Sequence, residues 1–124
     1  MNKNDLRFQK TEALIKSTYF SLKKRGSTVV KVKDLCDTAM INKTTFYAHY
    51  ETIEHLHKAV CNDFVTKILT ETFSINKIQN DIRTFVYSIL NAFVEEMATV
   101  EKLYGDDMHT LVNDIETLLM ENFM

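Results

Sequence analysis

Lys43, Thr44, Thr45, Tyr47 and His49 place five hydrogen-bonding side chains within seven consecutive positions. The Lys43 ammonium can donate to guanine O6 or N7 or to a phosphate, each threonine offers a hydroxyl and a methyl, and a tyrosine hydroxyl is a good phosphate donor. This is chemistry for holding a polyanion and touching base edges. The parts needed for catalysis are missing elsewhere. His55 and His57 are two apart and diverge on a helix, and no Cys-x-x-Cys pair accompanies them, so His49, His55, His57, Cys36 and Cys61 form no zinc pattern. Glu95 and Glu96 are adjacent rather than spaced three or four from a histidine, so no di-metal carboxylate motif arises. No catalytic residue, metal or cofactor is expected, and both cysteines read as small buried apolar residues.

Positioning such side chains requires a short, well-started helix. Asn42 suits the N-cap, since its side-chain oxygen can accept from the backbone N–H of Thr44 or Thr45, and the helix is then expected over residues 43–50. Eight residues at 1.5 Å each make it ~12 Å long, the width of a DNA major groove. Phe46 and Tyr50 lie four apart on the packing face, leaving Lys43, Thr44, Tyr47 and Ala48 on the open one. Ahead of it, residues 32–39 read as a helix with Leu35, Cys36 and Ala39 inward and Lys33, Asp34 and Asp37 outward. Lys31 stands where a capping Ser or Thr would be expected. Joined by a turn at Met40 and Ile41, the pair is a helix-turn-helix.

The flanking elements follow from the same reasoning. Residues 6–24 read as a helix with Leu14, Ile15, Thr18 and Leu22 inward, or Phe8, Thr11, Ile15 and Leu22 on a neighbouring row, ended by Lys23, Lys24 and Arg25 and by Gly26 at the left-handed C′ position. The β-branched run 27–32 has no partner strand and is expected to be an extended loop whose valines plug the core. Thr52 caps a helix to about residue 73, with Glu54 in its first turn and Leu56, Val60, Phe64 and Ile68 along one side. A break at 74–76 is expected before a helix over 77–104, apolar on more than one stripe. Gly105 ends it, and Asp106 or Asp107 caps a last helix.

Composition supports an all-α chain of about six helices: 124 residues, 45% hydrophobic, no proline and two glycines. The expected division is a helix-turn-helix head over residues 1–51 and a short helical body over 52–124. Charge follows this division. Residues 1–50 hold ten Lys or Arg against four Asp or Glu, a net of +6, whereas residues 51–124 hold five against thirteen, a net of −8. A basic head on an acidic body places a polyanionic partner at the head. No leader-like apolar stretch and no apolar run near ~18 residues is present, so a cytoplasmic protein with no membrane segment is expected.

Gly26, the helix-turn-helix, and the run Thr45-Phe46-Tyr47-Ala48-His49-Tyr50 followed by Thr52, Glu54 and Leu56 resemble the N-terminal domain of the tetracycline-repressor (TetR) family of bacterial transcription regulators. The resemblance covers residues 7–60, about half the chain. It implies a homodimer with a three-helix DNA-binding head, a fourth connecting helix, and a helical body that dimerises and commonly takes a small-molecule effector. Carried over by position, it implies that Lys43, Thr44 and Thr45 enter the major groove, that Tyr47 and His49 contact phosphate, and that Phe46 and Tyr50 are core. With the neighbouring polar and small positions, the candidate DNA-contacting set is Lys31, Lys33, Asn42, Lys43, Thr44, Thr45, Tyr47, Ala48, His49 and Thr52.

The chain departs from the pattern at four places. Cys36 stands where Ala is usual, Met40 where Gly is usual, and Ile53 where a phosphate-holding lysine is usual. If the turn needs left-handed backbone, Met40 costs ~1–2 kcal/mol. The body beyond residue 50 has 74 residues, room for three helices where the family commonly has five or more. The expected function is that of a sequence-specific regulator, a repressor binding double-stranded DNA as a homodimer through its C-terminal helices. Whether the short body keeps an effector pocket is left open. The alternative is a shortened TetR-like interaction protein that pairs with another regulator.

Overall fold

The first helix, α1, spans Leu6–Lys24 because Asp5 starts it and a glycine stops it. Asp5 is extended, and its carboxylate accepts from the Arg7 N–H at 2.8 Å. At the other end Gly26 takes φ 98°, and its N–H reaches the Lys23 carbonyl at 3.0 Å, closing the last turn. The computed structural model describes residues 5–26, 29–76 and 82–122, residues 74–76 by their backbone. Within α1, Ile15 and Thr18 are buried as the periodicity predicts, but Leu14 is 41% exposed and Tyr19 is buried in its stead. Burial of a tyrosine is cheap where its hydroxyl has a partner, and Tyr19 Oη lies 2.6 Å from His57 Nδ1.

Helix α2, Val32–Ala39, buries Leu35, Cys36 and Ala39, and α3, Lys43–His49, buries Phe46 completely. Between them Met40 sits in the left-handed region at φ 59°, ψ 46°. Its N–H and that of Ile41 both turn back to the Cys36 carbonyl, so the turn is closed by backbone hydrogen bonds alone. Helix α3 ends one residue before the expected limit, because Tyr50 is already extended at φ −139°. In the loop ahead of α2, Val30 is buried and Val29 exposed, so one valine fills the core rather than several.

Helix α4 spans Ile53–Asn76 and runs through the expected break at 74–76. Ser74, Ile75 and Asn76 each cost a helix only tenths of a kcal/mol, ~0.7 at most, too little to stop it. Residues 77–81, the expected start of the next helix, lie outside the described residues. The expected helix to residue 104 is two helices, α5 Ile82–Glu95 and α6 Met97–Tyr104, parted at Glu96 with φ −99°, ψ 18°. No glycine or proline marks that break, and Phe93 and Val100, both buried, keep helical spacing across it, so the apolar pattern conceals it. Helix α7, Met108–Asn122, is capped by Asp107, whose carboxylate accepts from the Thr110 N–H at 3.1 Å and the Thr110 hydroxyl at 2.6 Å.

Among the described residues the regular structure is helical throughout, in seven helices with no strand. The chain divides into two compact units, Met1–Val60 and Cys61–Met124. The first unit is cored by Ile15, Tyr19, Leu35, Cys36, Phe46 and Leu56. In the second, Val65, Leu69, Phe93, Val100, Leu103 and Leu111 are buried, and the buried Tyr104 donates its hydroxyl to Asp114 Oδ2 at 2.7 Å. Burial, reinforced by Asp114 and Cys61, pushes the Tyr104 phenol well above its ordinary range, so it stays a donor. No helix among the described residues is long and apolar enough to cross a membrane.

Candidate nucleic-acid interface

Helix α3 is seven residues long, too short to be stable on its own, so its surroundings must set it in place. At its N-terminus Asn42 Oδ1 accepts from both the Thr45 N–H at 2.8 Å and the Thr45 hydroxyl at 2.9 Å. The expected N-cap is present, and it occupies the Asn42 oxygen and the Thr45 hydroxyl together. Both residues therefore act first as helix starters. At its middle, Phe46 is fully buried, with the Tyr47 ring edge-on at 5.2 Å and the Tyr50 ring at 6.2 Å. That anchoring leaves Lys43, Thr44, Tyr47 and Ala48 exposed, at positions that share one side of a helix.

His49 differs from the expectation. Its side chain is 1% exposed, its ring stacks on Phe8 with centroids 3.9 Å apart, and its Nδ1 lies 2.9 Å from Glu12 Oε1. It is therefore a packing residue bonded within the fold and not a surface donor to phosphate. The Tyr50 hydroxyl donates to the other oxygen of the same carboxylate, Glu12 Oε2. Phe8 stood on the alternative inward row of α1, whereas Glu12 carried no signal in the sequence, because the residues it meets lie more than thirty positions away. Their roles arise only when α1 folds against the end of α3.

The remaining candidates sit at other helix starts. Lys31 occupies the N-cap position of α2 with no side-chain cap bond, and Lys33 is exposed, 3.8 Å from Asp37 across one helical turn. Two such exposed partners exchange readily with solvent, leaving Lys33 available to another anion. Thr52 caps α4 by accepting the His55 N–H on its hydroxyl at 3.1 Å. A cavity of about 490 Å³ brings the starts of α2 and α4 together, with Lys31 and Val32 on one wall, Ile53 and Glu54 on another, and Tyr19 and His57 between. Ile53 supplies no cation there.

Both cysteines are free and buried. Burial pushes the Cys36 thiol above its ordinary value, Asp37 pushes it the same way, and Lys43 opposes them, so the thiolate needed for nucleophilic or metal chemistry is disfavoured. Among the described residues no group of three His, Cys, Asp or Glu side chains is placed to hold a metal ion. What the arrangement can do is present a lysine, a threonine hydroxyl, a phenol and a methyl group on one rigidly started helix. No family model matches the chain, and comparison with curated proteins and with solved structures finds no match.

Proposed function

We propose that this chain is a sequence-specific, TetR-like DNA-binding regulator that acts as a homodimer on a palindromic operator and represses transcription. The observation that carries the reading is the open face of α3. Lys43, Thr44, Tyr47 and Ala48 are exposed on a helix whose opposite side is fixed by the buried Phe46 and whose start is fixed by Asn42. Lysine and threonine are fitted to base edges and phosphates, the Ala48 methyl to a thymine methyl, and the Tyr47 hydroxyl to a phosphate oxygen. The +6 net charge of residues 1–50 supplies the long-range attraction that such contacts need.

Pairing is supported by α5. Ile82, Val86, Leu90 and Val94 follow one another at four-residue spacing and are all exposed, with Tyr87 beside them. An exposed apolar row of that length marks an interaction surface, and a second copy of the same helix offers a self-complementary cover. The same row also favours a second reading, in which the body pairs with a different regulator.

Titrating duplex DNA over a range of salt tests the reading. Lys43→Ala and Tyr47→Phe are expected to weaken binding, with Lys43→Ala lowering the salt slope by about one, while both variants unfold as the wild type does. Binding that ignores salt, or that both substitutions leave unchanged, would remove α3 from the interface.

A further inference from the structure

We propose that Glu12 is a positioning residue for DNA recognition: from α1, its carboxylate fixes the C-terminal end of α3 and so sets the angle at which the open face of α3 is presented. The inference rests on the DNA-binding reading above. Its geometry is a grip by one side chain on two consecutive residues. Oε1 is 2.9 Å from His49 Nδ1, and Oε2 accepts the Tyr50 hydroxyl, so both carboxylate oxygens are engaged by the last helical residue of α3 and its C-cap. A carboxylate only accepts, so Nδ1 carries the proton. Phe8, one turn earlier on the same face of α1, stacks on the His49 ring with an interplanar angle of 19°. The two α1 residues thus restrain the His49 ring by its edge and by its face.

Fixing this end matters because α3 is short. Asn42 determines where the helix begins, and Phe46 anchors its middle, but a helix of seven residues can still pivot about one buried ring. Glu12 supplies the second fixed point. Its charge also makes the role separable from simple electrostatics. A carboxylate in a basic DNA-binding head opposes the phosphates, so deleting the charge should, on electrostatic grounds alone, tighten DNA binding. A positioning role has the opposite sign.

The test compares wild type, Glu12→Gln and Tyr50→Phe for affinity to a duplex selected by the wild type, for its salt slope, and for thermal unfolding. Gln keeps the side-chain size but cannot accept both hydrogen bonds, and Tyr50→Phe deletes one of them while keeping the ring. Each is expected to bind roughly tenfold more weakly with an unchanged salt slope, since no phosphate contact is lost, and the double variant to lose less than the two losses combined. Should Glu12→Gln fail to fold, Tyr50→Phe decides by itself. A wild type that binds DNA beside folded variants that bind equally well or more tightly overturns this inference alone. A wild type that binds no duplex overturns the DNA reading with it.

Discussion

Met40 has the only left-handed non-glycine backbone among the described residues, and its side chain is 90% exposed, so no packing offsets the strain. Steric crowding of Cβ there costs ~1–2 kcal/mol. Met40→Gly removes it and returns part of the gain as greater freedom of the unfolded chain, ~0.4–1 kcal/mol. The expected outcome is a net stabilisation of roughly 0.5–1 kcal/mol, read as a higher denaturant midpoint with an unchanged slope. A lower midpoint would mean that the methionine makes contacts worth more than the strain. This position was legible in the sequence as a departure from glycine at a turn. The phosphate contact expected of His49 came from the family resemblance alone, which carries no trace of the distant partners, Glu12 and Phe8, that hold the ring within the fold.

At the scale of elements, legibility followed local chemistry. The stop of α1 and the start of α3 were readable because each is written in adjacent residues: Lys23-Lys24-Arg25-Gly26 at the stop, Asn42 at the start. The end of α4 and the break at Glu96 were not, since neither carries a glycine or proline and the apolar rhythm continues through them. Asp107 shows a readable cap with a pH consequence. Hydrogen bonds from the Thr110 hydroxyl and then its N–H hold the Asp107 carboxyl below the ordinary carboxylate value, and His109 adds to this. A folded-state value below the unfolded one gives stability that is present above the ordinary carboxylate range and lost as pH falls through the lowered value. Asp107→Asn is expected to flatten the acid limb of a stability–pH profile for the start of α7. An unaltered acid limb would assign that dependence to other carboxylates.

At the scale of the whole molecule, the sequence divides into a basic stretch and an acidic one, and the structure adds an exposed apolar row on α5 that composition could not reveal. Sedimentation at micromolar concentration is expected to show a dimer, and Leu90→Glu, which places a charge in the middle of that row, to shift it toward monomer. A wild type that stays monomeric would favour pairing with another regulator. The central claim, that the open face of α3 reads DNA in a symmetric pair, is tested most directly by selecting bound sequences from random duplex DNA with the purified chain. Enrichment of a palindrome with half-sites about one helical turn apart, ~34–36 Å, is expected, as is its loss on Lys43→Ala. Recovery of no preferred sequence, or of one that Lys43→Ala selects equally well, would contradict it.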